Sequence, residues 1–292
     1  MGAPFFAPDS PVIVQGMTGR VGRSHSAVMR AYGTNIVGGV SPSGTEIDGV
    51  PIFRDCAAAV AATGATASVL VVPPLGLLPA LAEAIEAGIR FAVTVAEGMP
   101  VHDALQAAAV VRAAGARWIG PSTPGIAIPG KAKLGFLPNV SLAPGSLGVM
   151  SKSGTLSYEV GYRLVERGFG QSLWVGVGGD IVKGTRFADL VPVFEADDAT
   201  SAMVVIGEIG GDEEEELADA LIRRAARKPV YALIAGQAAR EGVTMGHAGA
   251  LVSGGTGTVA TKTAALTRAG ARVFTRIQDL IDAVADSERA SR

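Results

Sequence analysis

The sequence predicts an α/β protein of two units in tandem, each a parallel sheet covered on both faces. Three observations carry this. Short, continuously apolar runs alternate with segments of helical periodicity along most of the chain, the pattern of buried parallel strands joined by helices. The 39 glycines and 16 prolines are spread between the apolar runs, as punctuation of many short loops. A length of 292 residues is long for one core and comfortable for two.

The elements follow in order. Pro11–Gln15 is a buried strand, and a glycine-spaced turn leads to a helix over Val21–Tyr32. Asn35–Val40 is a strand, Ala57–Ala62 a helix and Ser68–Val72 a strand. Leu75–Ala87 is helical, Phe91–Val95 extended, Val101–Ala114 helical, and the short run Trp118–Gly120 closes the first unit. From Pro121 to Pro144 prolines recur and no periodicity persists, so the junction falls there. Alternation then resumes. Strands are expected at Leu147–Ser151, Ser172–Val177, Ala202–Glu208, Val230–Ala235 and Arg272–Thr275. Helices are expected at Thr155–Arg167, Arg186–Glu195, Glu213–Ala226, Thr258–Ala269 and Ile277–Ala285, with a frayed tail over Ser287–Arg292.

Composition excludes several classes. Hydrophobic residues make up 48% of the chain, which is globular rather than disordered. A net charge of −2 leaves no basic footprint for nucleic acid. The single cysteine, Cys56, excludes an intrachain disulfide and fits a reducing, cytoplasmic setting; it reads as structural. The N-terminus is broken by Pro8, Asp9 and Pro11, unlike a signal peptide. The apolar run Ala67–Leu78 is interrupted by Pro73 and Pro74, too early for a membrane span, so no membrane partner is expected.

Four motifs carry chemistry. Gln15-Gly16-Met17-Thr18-Gly19-Arg20-Val21-Gly22 follows a strand and opens a helix. Such glycines permit a tight turn and let backbone N–H groups meet a phosphate at the helix start. A tight turn without a ligand is the plain alternative. After the second strand stand Ser41, Pro42 and Ser43, not the ribose-binding acid of nicotinamide enzymes. Ser151-Lys152-Ser153-Gly154-Thr155 is a second strand-to-helix turn, suited to cradling an anion or simply to capping the helix. Glu208, in Ile206-Gly207-Glu208-Ile209-Gly210-Gly211, ends a buried strand, where open α/β sheets bind ligands. There it could orient an imidazole; capping or solvation is the alternative. The acidic run Asp212–Glu216 reads as a helix start with a solvated face. Last comes Met245-Gly246-His247-Ala248-Gly249-Ala250, beside the glycine-rich Gly254–Thr258. An imidazole between glycines is open to act as base, ligand or nucleophile. Of the other two histidines, His25 reads as packed or capping and His102 as structural. With no second histidine or cysteine near His247, no metal is expected.

Together with Gly38–Pro42, Ala61–Ser68 and Gly178-Gly179-Asp180, these motifs resemble, in order, the α subunit of succinyl-CoA synthetase. The resemblance runs from about Pro11 to Ala285. It implies a Rossmann-like CoA-binding domain over 1–121, a junction over 122–146, and a flavodoxin-like ligase domain over 147–292. It implies a carboxylate–CoA ligase in which phosphate passes between acyl phosphate and histidine. His247 matches the phosphorylated histidine and Glu208 the glutamate that orients it. Ser153, Gly154 and Thr155 match the helix start that holds the phosphate. Gly16, Thr18, Gly19, Arg20, Val21 and Gly22, with Ser41 and Pro42, match the CoA-binding turn and loop; Val95, Ala96 and Glu97 match a second CoA contact. Tyr158 matches a position at the carboxylate substrate, and Ser122 and Thr123 lie in a segment near it. Coenzyme A is the cofactor implied, with ATP or GTP and Mg2+ on a β subunit bearing an ATP-grasp domain. An αβ or α2β2 hetero-oligomer and a small carboxylate complete the implied set.

Three departures bear on the substrate. Relatives carry a lysine in the loop after the second strand, whereas this chain has Ser41-Pro42-Ser43-Gly44-Thr45-Glu46. The junction reads Gly120-Pro121-Ser122-Thr123-Pro124-Gly125, where relatives tend to have Asn-Cys in place of Ser-Thr. The family's usual proline after Asp180 is absent. Malate or citrate therefore stand as alternative substrates. A non-catalytic CoA-binding paralogue and a nicotinamide dehydrogenase are the alternatives from other classes.

Overall fold

The computed structural model describes residues 5–238, 246–247, 249–252 and 257–290. Met245, Ala248 and Gly254-Gly255-Thr256, singled out above, lie outside the described residues, as do Ser291 and Arg292 at the end of the tail. Contacts divide the chain into two compact units: 5–137 with 182–185, and 138–181 with 186–292.

The first unit runs β1 (Val12–Gln15), α1 (Arg20–Tyr32), β2 (Ile36–Val40), β3 (Glu46–Ile47), β4 (Val50–Phe53), α2 (Cys56–Thr63), β5 (Ala67–Leu70), α3 (Leu77–Glu86), β6 (Phe91–Thr94), α4 (Val101–Ala113), β7 (Arg117–Ile119), β8 (Gly125–Ile128) and β9 (Ala132–Gly135). Its sheet has the order β3-β4-β2-β1-β5-β6-β7, parallel except for the β3–β4 hairpin. β1 and β5 are wholly buried, which is why they read as unbroken apolar runs rather than alternating ones. Leu70, Leu77, Leu81 and Trp118 form part of the core on one face. The order turns back at β1, so the loop leaving β1 opens at the switch point of a Rossmann-like sheet.

The proline-rich stretch expected to be irregular holds the hairpin β8–β9, paired antiparallel from Gly125↔Gly135 to Ile128↔Ala132. It hid because nearly all of both strands is buried, so neither alternates. It packs on α1 and is bonded to the turn that follows that helix: Thr34 Oγ1 donates to Lys133 O at 2.6 Å, and Lys133 N donates back to Thr34 Oγ1 at 3.1 Å.

The second unit runs β10 (Pro144–Ser151), α5 (Gly154–Glu166), β11 (Gln171–Gly176), α6 (Phe187–Ala196), β12 (Ala202–Glu208), α7 (Glu213–Arg223), β13 (Val230–Ala235), α8 (Val259–Arg268), β14 (Arg272–Phe274) and α9 (Ile277–Ala290). Its parallel strands lie in the order β14-β13-β12-β10-β11, the flavodoxin-like arrangement. The reversal falls between β10 and β12. The tail expected to fray is instead helical to Ala290: Ser146 Oγ and Ser201 Oγ both donate to the buried Glu288 carboxylate at 2.8 Å. Among the described residues no helix is long and apolar enough to cross a membrane.

Candidate active site

β12 sets Glu208 at the carboxyl end of a strand buried along its whole length. Beside it, in register, β10 ends at Ser151, and Lys152 N donates to Ile206 O at 3.0 Å. The end of β12 and the β10–α5 turn therefore adjoin at the switch point. His247 Nδ1 stands 2.9 Å from each oxygen of the Glu208 carboxylate, which is 8% exposed. A carboxylate can only accept, so Nδ1 carries the proton and the ring's one basic lone pair lies on Nε2. The ring rests on Gly179: a Cβ there would come within 2.5 Å of His247 Cγ. Gly249 N donates to Gly179 O at 3.3 Å, binding the two loops backbone to backbone.

Ser153 is the N-cap of α5, its Oγ accepting from Leu156 N at 3.3 Å. The capping alternative thus holds for its side chain. The N–H groups of Gly154 and Thr155 begin the helix, where no intrahelical acceptor exists for them, and Thr155 is exposed. A helix start of this kind suits an anion. Tyr158 lies one turn further on, half-buried; burial pushes its phenol pKa up.

Sequence reasoning missed the residues beneath this pair. The acidic run opens α7 as expected and Asp212 is exposed, but two of its members are not solvated: Glu213 and Glu214 are 3% and 0% exposed. Glu214 pairs with Lys152 at 3.0 Å and with Lys262 of α8, and its Oε1 accepts the Glu208 N–H at 3.1 Å. Glu213 accepts from Phe187 N at 3.0 Å, at the start of α6. The two lysines stand 48 and 62 residues from Glu214, beyond any local pattern.

In the first unit, the β1–α1 turn takes the form its glycines demand. Gly16 has φ +79°, and a Cβ on Gly22 would meet Gly16 O at 2.1 Å. Gly19 is the N-cap of α1, with no side-chain cap and no acidic residue in the first turn. Thr18 Oγ1 lies 2.8 Å from Ser41 Oγ, joining the turn to the loop after β2, where Pro42 is exposed. Arg20 and Val21 are exposed on the first turn of α1. Helix-start donors, two hydroxyls and an arginine make a cradle that fits a phosphate-bearing ligand. Val95 is buried after β6 and Glu97 exposed; Ala96 O accepts from Ser122 N at 2.9 Å. Thr123 is buried, its Oγ1 accepting from Gly125 N at 2.9 Å.

His25 and Cys56 settle into packing, whereas His102 does not. The His25 ring stacks on Phe136 at 3.9 Å, and burial, with help from Lys133, lowers its pKa. His102 is exposed beside Gln106. Cys56 is buried, and burial together with Glu83 pushes its thiol up to about 12, leaving it inert.

Comparison with known proteins agrees with this geometry. Residues 8–98 match the CoA binding domain and residues 150–272 the CoA-ligase domain. The chain is 46% identical to a succinate–CoA ligase [ADP-forming] α subunit of Archaeoglobus fulgidus, covering 94% of this chain and 96% of that one. It is 43% identical to a subunit of the ADP-forming sulfoacetate–CoA ligase of Bilophila wadsworthia, covering 93% and 94%. ATP citrate lyase of Methanothrix soehngenii superposes with a TM-score of 0.87 at 24% identity, over 98% of this chain and 51% of that one. This chain thus spans about half of that protein, and the likeness is one of fold. The first unit carries a CoA-binding domain and the second a CoA-ligase domain, and the chain belongs to the CoA-ligase family that includes the α subunits of succinate–CoA ligase.

Proposed function

We propose that the chain is the α subunit of a nucleoside-diphosphate-forming carboxylate–CoA ligase of the succinate–CoA ligase type, and that His247 carries the phosphoryl group. The observation that carries this is the His247 Nδ1–Glu208 pair, built at the switch point of the CoA-ligase domain. In the direction of thioester synthesis, Nε2 attacks the γ-phosphorus of a nucleoside triphosphate and the diphosphate leaves. Glu208 stabilises the positive charge that spreads to the Nδ1 side of the ring. A carboxylate oxygen of the substrate then attacks phosphorus, Nε2 leaves with its electron pair, and an acyl phosphate forms. The CoA thiolate adds to the acyl carbonyl and inorganic phosphate departs. Positioning and charge stabilisation are what such transfers need from the protein. The helix start at Ser153, Gly154 and Thr155 supplies donors for the phosphoryl oxygens.

Coenzyme A belongs at the turn Gly16, Thr18, Gly19, Arg20, Val21 and Gly22, with Ser41, Pro42, Val95, Ala96 and Glu97 beside it. Tyr158 of the second unit is assigned to the acid, and Ser122 and Thr123 of the first to substrate preference. The nucleotide and its Mg2+ belong to an ATP-grasp β subunit. Relatives named for succinate and for sulfoacetate stand at near-equal identity, 46% and 43%. Both acids are short and carry a second anionic group, and that is the substrate class proposed. The intact His247–Glu208 pair speaks against a non-catalytic paralogue.

The test mixes the chain with an ATP-grasp β subunit and γ-labelled ATP. An acid-labile label should appear on the wild type and be absent from His247→Asn. CoA binding, followed by calorimetry, should stay within about twofold, because the turn from Gly16 to Gly22 does not involve His247. Label retained by His247→Asn overturns the reading.

A further inference from the structure

We propose that Glu214 is a positioning residue for the phosphoryl carrier: its buried carboxylate fixes the backbone of Glu208 and so aims the Glu208 side chain at His247 Nδ1. The inference rests on the reading of His247 given above.

Three observations carry it. Glu214 Oε1 accepts the N–H of Glu208 itself at 3.1 Å, so the carboxylate grips the residue that grips the histidine. Gly207, the residue before, leaves the room: a Cβ there would stand 2.5 Å from Glu214 Oε1, too close to coexist with it. Glu214 is also held from both sides. The Lys152 ammonium lies 3.0 Å away, and the Lys262 ammonium donates to Oε2. Burial alone would raise the pKa of the Glu214 carboxyl; the two ammonium groups outweigh burial and keep it low, so the side chain is a fixed acceptor.

The clamp reaches further than one bond. Lys152 directly precedes Ser153, the N-cap of α5. Lys262 also donates to Gly211 O at 3.0 Å, just past the Gly210 whose N–H donates to Gly257 O at 2.8 Å. One carboxylate therefore ties the anion-suited helix start, the end of β12 and the glycine turn after it. Stability gives no reason for such a cluster, because buried ion pairs are commonly replaceable by apolar residues at little cost. Fixing the direction of one carboxylate does give a reason, since partners behind a reactive imidazole set its tautomer and orientation.

The test uses the full chain labelled with 15N-histidine. With only three histidines, each ring is resolvable. In the wild type His247 should show a protonated Nδ1 and an unprotonated Nε2. In Glu214→Met, which removes the acceptor from the Glu208 N–H, the His247 nitrogens should shift toward a tautomer mixture while those of His25 and His102 stay put. With the β subunit and labelled ATP, phosphohistidine formation should fall about tenfold with KM for CoA unchanged. A thermal melt confirms that the variant is folded. If it is not, Glu214→Met/Lys262→Met, which removes one charge of each sign, takes its place with the same expectation. His247 nitrogen shifts equal to wild type in the folded variant overturn the proposal, and so do equal shifts in all three histidines. Absence of label on the wild type overturns the phosphorylation reading instead, and the nitrogen shifts still decide the role of Glu214.

Discussion

At His247 the proposed chemistry depends on what surrounds one ring. Glu208 fixes which nitrogen holds the proton, and Gly179 fixes where the ring lies. Gly179 has no positive φ, so alanine fits its backbone and would disturb only the imidazole. Gly179→Ala should lower phosphohistidine formation by about 10²-fold, the cost of displacing a reacting group by roughly an ångström. CoA affinity should be unchanged; single-turnover labelling and calorimetry measure the two. Unaltered labelling would show that the ring contact does not matter. The pair proposed to bear the chemistry was legible as a candidate because its types are unusual where they stand: a histidine among glycines, a carboxylate closing an apolar strand. Glu214, Lys152 and Lys262 were not. Four consecutive glutamates look the same from sequence whether they face water or two lysines, and only the packing of α7 beside α8 and the β10–α5 turn decides.

Among the elements, the strands and helices with clear periodicity were legible to within a few residues. β12 and β13 have the expected bounds. Other elements escaped: the hairpin strands β3 and β4, at two and four residues, are too short to show a period. β8 and β9 carry no alternation because nearly every position is buried, and α9 runs past its expected end because Glu288 finds Ser146 and Ser201. β9 also buries a charge. Burial pulls the pKa of Lys133 down from 10.5 to about 8, while its ammonium donates to Leu137 O at 2.7 Å. Unfolding restores the ordinary value. Between about pH 8 and 10.5 the unfolded chain binds more protons, so this lysine adds stability as pH rises through that window and none of that gain is present below it. Relative to Lys133→Met, the melting temperature of the wild type should therefore improve from pH 7.5 to pH 10. A pH-independent difference between the two would contradict the assignment.

For the whole molecule, the order of the two domains and their family were legible because ordered motifs spanning the chain leave little to chance. No nucleotide-triphosphate loop of the P-loop type occurs in the sequence. The isolated chain is accordingly expected to make no acyl-CoA from ATP, acid and CoA. Addition of an ATP-grasp β subunit should restore synthesis, with succinate and sulfoacetate compared in a thioester absorbance assay. Robust synthesis by the single chain would refute the division of labour. Substrate preference was less legible, since the segments that depart from the family, 41–46 and 120–125, are short loops whose chemistry is set by what they face.

The first unit is not finished when the chain first leaves it. Residues 182–185 return to it: Gly184 N donates to Gly120 O at 3.0 Å, Thr185 Oγ1 donates to Trp118 O at 2.7 Å, and Val182 packs on the Trp118 cluster. During synthesis, a ribosome that has released residues up to 137 has released a Rossmann-like unit with that patch around its buried tryptophan uncovered. The nascent N-terminal half must wait for about 45 more residues, a few seconds of elongation at roughly 5–20 residues per second, before it can close.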